Sequence, residues 1–135
     1  MYTPVSAESA LSIVKSNDKV YVQAAAAAPT LLVKALADRH EELRNVEVCH
    51  LHTEGPAPYA NPELSKSFHV NSFFIGKNVR HTLKAGNGSY TPVFLSELPK
   101  LFKRNIIDIK VALIHVSVPD RHGYCSLGVS VEATL

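Results

Sequence analysis

Several features that mark particular classes of protein are missing from this sequence. Lysine and arginine number 14 against 12 aspartates and glutamates, and at most two basic residues adjoin, at Lys103 and Arg104. Charge so weak and so scattered argues against a nucleic-acid partner. No apolar run approaches the roughly 20 residues that cross a bilayer, and residues 1–5 lack the basic and apolar regions of a secretion signal. These absences predict a cytoplasmic protein with neither a nucleic acid nor a membrane as partner.

Cysteine is scarce, and sequence motifs for metals and nucleotides are absent. Cys49 and Cys125 lie far apart, and without a secretion signal we expect both to be free thiols. The sequence contains no HExxH motif, no cysteine pair with metal-ligand spacing, and neither a GxGxxG nor a Walker pattern. We therefore predict no metal and no bound cofactor.

The residues that are present describe a globular protein. Hydrophobic residues make up 46% and charged residues 19% of the 135 positions, which is typical of a folded domain with its own core. The length fits one domain covering residues 1–135.

Hydrophobic periodicity predicts alternating strands and helices. Helix starts are indicated at Ser6, Pro29, Asn78 and Ser96, because Ser and Asn cap helices and Pro suits the first turn. Predicted helices cover residues 6–15, 29–42, 78–83 and 96–103, and predicted strands cover residues 20–22, 46–51, 68–75, 109–116 and 127–131. This order indicates an α/β fold with a mainly parallel sheet flanked by helices.

Three local predictions refine this picture. The second helix should bury a stripe of apolar side chains, namely Leu31, Leu32, Ala35 and Leu36. Residues 53–59 hold two prolines and a glycine, which excludes regular structure. Residues 109–116 and 127–131 should form a hairpin whose tip reverses at Gly123, and residues 132–135 resemble the first turn of another helix.

Two side-chain pairs could carry chemistry. His50 and His52 are two apart where a predicted strand ends, and in an extended chain both rings could meet one metal ion, with Glu54 as a third ligand. The favoured interpretation is that they line a polar edge. His122 and Cys125 could form a reactive thiolate–imidazole pair, but no third group is placed to orient them.

The alanines at positions 24–28 form a loop between a strand and a helix. Backbone N–H groups and the helix dipole favour anions at such a place. Small side chains would let a ligand approach the backbone closely. The alternative is that these alanines pack against a neighbouring strand.

Five segments, in this order, resemble the N-terminal domain of the acetyl-CoA hydrolase/transferase family, which includes acetate, butyrate and 4-hydroxybutyrate CoA-transferases. They cover nearly the whole chain, although many members have glycine where this chain has alanine at 24–28. The segments are DKVYVQAAAAAP at 18–29, LHTEGPAPY at 51–59, NSFFIGKNVR at 71–80, GSYTPVFLSELP at 88–99 and DRHGYCSLGVSVE at 120–132.

The resemblance implies one half of a two-domain CoA-transferase fold, with the active site between the halves. In such enzymes a glutamate attacks the acyl-CoA thioester and becomes a glutamyl-CoA thioester. In the family that glutamate lies in the second half of the polypeptide. Accordingly, we assign no catalytic residue to this chain, and neither Glu54 nor Glu132 is given that role.

This half would supply one wall of the cleft, with coenzyme A as a substrate rather than a cofactor. Arg80 could hold a carboxylate or a phosphate because its planar fork suits both groups. Its alternative role is that of a surface arginine. The candidate substrate-binding residues are Ala24, Ala25, Ala26, Ala27, Glu54, Gly55, Pro56, Tyr59, Asn78, Arg80, His122 and Gly123.

Three functions stay open on the sequence. The chain could belong to a CoA-transferase acting on short acyl-CoA and carboxylate substrates, together with a second catalytic domain. It could instead belong to an acyl-CoA hydrolase, in which water replaces the carboxylate. Thirdly, it could be a non-catalytic domain whose apolar face is covered by a partner or by a second copy in a homodimer.

Overall fold

The computed structural model describes residues 3–134, in which strands and helices alternate along the chain. Three short 3₁₀ turns, Pro58–Ala60, Pro62–Leu64 and Leu95–Glu97, lie between them. The strands are β1 Lys19–Val22, β2 Val46–His50, β3 Phe68–Ser72, β4 Gly88–Tyr90 and β5 Val111–Leu113, and the helices are α1 Ala7–Leu11, α2 Thr30–Asp38, α3 His81–Ala85 and α4 Leu98–Lys103.

Within residues 3–134 the strands form one five-stranded sheet in the order β4-β3-β2-β1-β5. Every pairing is parallel: Val20 lies opposite Val48 on one side and Val111 on the other. The predicted α/β architecture with a parallel sheet is therefore confirmed. Since all strands run the same way, the loops that follow β1, β2 and β3 meet at one edge of the sheet.

The main core lies on the face covered by α1 and α2. Val20, Val48 and Val70 point to this face from the three central strands, and each is fully buried. Leu11 of α1 and Leu36 of α2 pack against them. Nonpolar burial of this kind supplies most of the free energy that holds the sheet to its helices.

A second, smaller core lies on the opposite face, under α4. Tyr21, Cys49 and Phe73 contribute from the sheet, and Leu98 from α4. Phe102 stacks edge-on against Tyr21, with ring centroids 5.3 Å apart. Helix α4 does not cover this face completely. Large apolar side chains on either side of it in sequence, such as Phe94 and Ile106, are exposed.

Helices α1 and α2 are both shorter than predicted. Ser6 does cap α1 by accepting the Ser9 N–H, but the helix ends at Leu11, where the Ser12 and Val14 N–H groups donate to carbonyls three residues back. Arg39 satisfies the Leu11 and Val14 carbonyls. In α2 the last turn tightens, since the Arg39 N–H donates to the Leu36 carbonyl three residues back. The predicted extensions to residues 15 and 42 are wrong.

The buried face of α2 also differs from the predicted stripe. Ala35 and Leu36 are buried as expected, whereas Leu31 is 69% exposed and Leu32 only partly buried. The helix begins at Thr30 rather than at Pro29. Val33, Leu36 and Ala37 are spaced by three and four residues, so they share one face of α2, and that face is buried.

Asn78 does not cap a helix. Its side-chain amide donates to the Gly55 carbonyl, and α3 begins later, after Arg80, without a side-chain cap. Helix α3 ends at Ala85, two residues beyond the predicted end at 83, and Gly86 follows it in the left-handed conformation at φ 80°. Strand β4, two residues further on, is absent from the sequence prediction.

The predicted hairpin near the C-terminus has the right turn but lacks its strands. Strand β5 ends at Leu113. Beyond it, the backbone N–H of His115 donates to the side-chain oxygen of Gln23 and not to the backbone of a neighbouring strand. Residues 127–131 form no strand, since the Ser126 N–H donates to the Ser117 hydroxyl and Gly128 takes a left-handed φ of 70°. We call residues 114–131 the C-terminal arm.

The described chain ends in a turn closed by the Thr134 N–H and the Val131 carbonyl. The predicted helical turn at 132–135 is therefore a single turn as far as it is described, and Leu135 lies outside the described residues. Among residues 3–134, no helix has both the length and the apolar character needed to traverse a bilayer.

Candidate functional site

The loops after β1 and β2 join directly at the carboxyl edge of the sheet. Ala25 forms a parallel bridge with Thr53, and its N–H donates to the His52 carbonyl at 3.0 Å. Ala25 has a φ of 53°, in the left-handed region that an alanine rarely adopts. A backbone held in this conformation at a strand end is a common feature of ligand-binding loops.

The alanine loop divides into buried and open positions. Ala24 and Ala27 are almost fully buried, Ala25 is half-buried and Ala26 is exposed. The packing alternative proposed from the sequence therefore applies to two of these alanines. Ala26 is the member of the loop that stands open at the edge.

The loops after β2 and β3 are held together by an amide. The Asn78 Nδ2 group donates to the Gly55 carbonyl at 3.0 Å. Gly76 leaves room for this contact because it has no side chain. A Cβ at this position would lie 2.9 Å from the Asn78 side-chain oxygen and 3.5 Å from the Thr53 carbonyl oxygen. A shallow cavity results between the two loops, lined by Thr53, Glu54, Gly55, Gly76, Lys77 and Asn78.

Glu54 stands at the open side of this cavity. Its carboxylate lies 3.6 Å from the His52 ring nitrogen, and its side chain is 70% exposed. The cavity therefore presents one cation, Lys77, beside one carboxylate. Together with Ala25 and Ala26, these groups form the surface that we call the edge site.

Tyr59 and Pro56 do not line the cavity of the edge site. Tyr59 is fully buried, with its ring 6.1 Å from the His50 ring, and its hydroxyl finds no partner among the described residues. Pro56 lies beside Leu31 and Val33 of α2 in a separate apolar cavity. Their assignment to substrate binding stays a prediction that this arrangement does not favour.

The remaining candidates are dispersed over the surface. Arg80 is exposed at the start of α3. His122 and Gly123 occupy the exposed tip of the C-terminal arm, where the Asp120 carboxylate accepts the His122 N–H at 2.8 Å and Gly123 has a φ of 86°. None of these three residues is hydrogen-bonded to the edge site within residues 3–134.

The two alternative chemistries gain no geometric support. The His50 ring lies in the core while the His52 ring lies edge-on to Phe74, at 5.9 Å. Within the described part of the chain, no three histidine, cysteine or acidic side chains are grouped to hold a metal ion. The His122 ring accepts a hydrogen bond from Arg121 rather than meeting the exposed Cys125 thiol.

Both cysteines are free, as predicted, and they differ in surroundings. Cys125 is exposed on the C-terminal arm. Cys49 is buried in β2, and burial followed by the nearby Glu47 charge raises the pKa of its thiol far above the ordinary value. A thiol held in its protonated form is a poor nucleophile.

Gln23 and Glu132 organise the site, although the sequence prediction gives them no role. Gln23 is fully buried; its carbonyl oxygen accepts the His115 N–H at 2.7 Å and its amide donates to the Ser130 carbonyl at 2.6 Å. The Glu132 carboxylate accepts the Ala24 N–H and, at 3.0 Å, the Tyr21 hydroxyl. The one local signal is a polar Gln23 directly after an apolar strand, and nothing local identifies Glu132.

Burial raises the pKa of both Glu132 and Tyr21, which share one hydrogen bond. Loss of water around Glu132 raises the pKa of its carboxyl group above the ordinary value, against the lowering effect of the Ala24 and Tyr21 hydrogen bonds. Burial and the Glu132 charge also raise the pKa of Tyr21 far above its usual value. The tyrosine is therefore a hydrogen-bond donor to this carboxylate at every physiological pH.

The sequence is similar to a known family over almost its whole length. Residues 2–134 match the family profile described as acetyl-CoA hydrolase/transferase N-terminal domain. A succinyl-CoA:acetate/propanoyl-CoA:succinate CoA transferase of Fasciola hepatica is 42% identical over 122 residues, which are 89% of this chain and 25% of the relative. A 4-hydroxybutyrate coenzyme A transferase of Clostridium kluyveri is 36% identical over 130 residues, 96% of this chain and 30% of the relative.

Solved structures give the same result for the fold. RipA from Yersinia pestis matches with a TM-score of 0.82 at 28% identity, over 93% of this chain and 31% of that one. A 4-hydroxybutyrate CoA-transferase from Porphyromonas gingivalis matches with a TM-score of 0.74 at 30% identity, over 96% of this chain and 29% of that one. The chain thus spans between a quarter and a third of the length of these proteins.

Proposed function

The chain belongs to the acetyl-CoA hydrolase/transferase family, and we propose on that premise that it is the N-terminal domain of a CoA-transferase. The enzyme would move CoA between a short acyl-CoA, such as acetyl-CoA, and a carboxylate such as acetate, butyrate or 4-hydroxybutyrate. The observation that carries this proposal is the agreement of relatives at 42% and 36% identity, both named as CoA transferases. The name of the first relative adds succinate to the carboxylates that deserve testing.

The proposed chemistry is covalent and keeps the energy of the thioester on the enzyme. A glutamate carboxylate attacks the acyl carbonyl of the thioester. The C–S bond breaks, CoA leaves as a thiolate, and an acyl-glutamyl anhydride stays on the enzyme. The thiolate then attacks the glutamyl carbonyl, which releases the first carboxylate and forms a glutamyl-CoA thioester. An incoming carboxylate reverses both steps and leaves as the new acyl-CoA.

We propose that the reacting glutamate lies on a second domain and that this chain forms the facing wall. The edge site fits this role, because it lies at the carboxyl ends of parallel strands, where α/β proteins commonly bind ligands. Exposed backbone at Ala26 and the cavity at Gly55 and Asn78 allow close approach. Exclusion of water by such a wall protects both intermediates from hydrolysis.

The test is a CoA-transfer assay on the natural polypeptide that carries this chain. Acetyl-CoA is supplied with butyrate, 4-hydroxybutyrate or succinate in turn, and the new acyl-CoA is measured by chromatography. Formation of the new acyl-CoA with at least one acceptor is expected. Absence of transfer to all three acceptors would contradict the proposal.

The family description also includes hydrolases, so a second function needs its own measurement. In a hydrolase, water takes the place of the carboxylate and free CoA accumulates without any acceptor. The same assay without added carboxylate, read with a thiol reagent, separates the two. We expect release of free CoA to be slow compared with transfer.

A further inference from the structure

The alanine loop uses all but one of its backbone N–H groups within the protein. Those of Gln23 and Ala25 donate to the Leu113 and His52 carbonyls, each at 3.0 Å. Those of Ala27 and Ala28 donate to the carbonyls three residues back, each at 3.2 Å, and that of Ala24 donates to Glu132. Among these described residues, the N–H of Ala26 has no protein acceptor.

Ala24 is the anchor of this turn on both of its backbone groups. Its carbonyl accepts the Ala27 N–H, which closes the turn, and its N–H donates to the Glu132 carboxylate. Ala25, between Ala24 and Ala26, is held at a φ of 53°. Releasing the N–H of Ala24 would therefore remove one of the contacts that hold this left-handed turn, beside the bond from the Ala25 N–H to the His52 carbonyl.

The Glu132 carboxylate makes two hydrogen bonds, both to the β1 side of the molecule. Both carboxylate oxygens are used, one on the Ala24 N–H and one on the Tyr21 hydroxyl. Glu132 itself has a left-handed φ of 40°, which is costly for a residue with a side chain. The titratable groups that face it are Tyr21 from β1 and His52 from the loop after β2. Glu132 is thus half-buried, has a strained backbone conformation and uses its carboxylate for hydrogen bonds within the protein. This combination indicates a structural role for the side chain and not that of a solvated surface charge.

We propose that Glu132 is a positioning residue that holds the alanine loop so that the Ala26 N–H stays free to bind an oxygen atom of the acyl-CoA substrate. This inference rests on the proposed function, which supplies the substrate. Fixed backbone N–H groups are effective donors to a carbonyl or carboxylate oxygen, because they need no reorganisation when the ligand arrives. Glu132, which directly follows the C-terminal arm, thereby acts on the alanine loop across more than a hundred residues of sequence.

The test follows the Ala26 amide in the natural polypeptide that carries this chain, labelled with ¹⁵N-alanine. Ala26→Gly removes one signal from the spectrum and so assigns it. Acetyl-CoA is the probe. We expect the Ala26 signal of the unsubstituted protein to shift until it saturates, and the Ala24 amide to exchange slowly with solvent.

Three variants separate positioning from general damage. Glu132→Ala should expose the Ala24 amide to exchange and weaken acetyl-CoA binding roughly tenfold, as expected for loss of a charge-assisted hydrogen bond. Glu132→Gln keeps an acceptor oxygen, so its binding should weaken only about threefold, by the smaller strength of a neutral bond. Glu63→Ala, which removes an exposed carboxylate elsewhere, is the matched control and should leave both readouts unchanged.

Two results would overturn the inference. One is an Ala26 signal that does not respond to acetyl-CoA. The other is a Glu132 variant with fast Ala24 exchange and unchanged acetyl-CoA affinity; if Glu132→Ala does not fold, Glu132→Gln decides this point. A protein that binds acetyl-CoA through Ala26 but transfers no CoA would refute the proposed function alone, whereas transfer without an Ala26 response would refute this inference alone.

Discussion

At the scale of single residues, His50 makes folding sensitive to acid. Its ring is fully buried at the end of β2, and neither ring nitrogen has a partner among the described residues. Burial, followed by the nearby His52, lowers the pKa of His50 from 6.5 to about 4. Below pH 6.5 the unfolded chain therefore takes up a proton that the folded chain does not.

The first prediction concerns the loss of folding stability that His50 causes on acidification. Between pH 6.5 and pH 4 the free energy of unfolding should fall on acidification, by up to about 3 kcal/mol from this one group. His50→Leu should abolish that part of the loss, and it should cost little at pH 7 because no hydrogen bond is broken. Urea unfolding at pH 7, 5.5 and 4.5 measures both effects.

The exposed His115 supplies the control for this prediction. A His115→Gln variant should show the same acid sensitivity as the unsubstituted protein. If His50→Leu loses as much stability on acidification as the unsubstituted protein does, the buried histidine is not the cause.

Gly88 is required by close packing rather than by its backbone angle. A Cβ at this position would lie 2.6 Å from the Cβ of Thr82, which is buried in α3. We predict that Gly88→Ala destabilises the fold by roughly 1–3 kcal/mol through overpacking, measured by chemical denaturation. Lys84→Ala, on an exposed position of the same helix, should change stability by much less; equal effects would argue against the packing explanation.

At the scale of elements, the C-terminal arm is attached mainly by the Gln23 side chain. The side-chain amide of Gln23 is hydrogen-bonded to the backbone of His115 at one end of the arm and to that of Ser130 at the other. Gln23→Leu would bury the same volume without either bond. We predict a loss of roughly 1–3 kcal/mol for the polar groups left unpaired.

Hydrogen exchange shows whether this loss is local. The amides of Ser117 and Ser126, which bond within the arm, should exchange faster in Gln23→Leu while those of Val48 and Val70 in the central strands stay protected. Gln23→Glu, which keeps one acceptor oxygen, should retain the His115 contact and lose the Ser130 contact. Uniformly faster exchange in every strand would mean that Gln23 supports the whole fold instead of the arm.

Strands with strong local signals were predictable, and the arm was not. Val20, Val48 and Val70 belong to apolar runs that fix β1, β2 and β3 from sequence alone. Strand β4 is three residues long and contains a glycine, so it leaves no periodic signal. The arm depends on Gln23, and the alanine loop depends on Glu132; the partners of both side chains lie about a hundred residues away in sequence. Short-range patterns carry no information on such contacts.

The candidate site was predicted in part for the same reason. The family resemblance grouped residues in the loops after β1, β2 and β3, and the parallel strands do bring these loops to one edge of the sheet. Gly55 and Asn78 do meet, through the bond between them. Tyr59 lies in the core instead, because a 3₁₀ turn at Pro58–Ala60 carries its ring inward beside His50.

At the scale of the whole molecule, one sheet face leaves apolar surface open. Phe94 is 78% exposed and lies with Tyr90 and Ile106 along one apolar cavity beyond α4. We predict that the 135-residue chain by itself associates through this surface, and that Phe94→Ser weakens association roughly tenfold through loss of buried aromatic area. Sedimentation velocity over a range of concentrations measures the effect.

Val5→Ser is the control for association, since Val5 is similarly exposed outside this cavity. It should leave the sedimentation behaviour unchanged. A single monomer boundary at all concentrations for the unsubstituted chain would contradict the prediction and would also weigh against a non-catalytic packing role.

The measurement that tests the central claim most directly is peptide mapping of the natural polypeptide after it is mixed with acetyl-CoA. The proposed function predicts a CoA adduct on a glutamate outside residues 1–135, which disappears when acetate is added. A CoA adduct on Glu54 or Glu132, or transfer of CoA without any adduct, would contradict the view that this chain is the non-nucleophilic wall of a CoA-transferase.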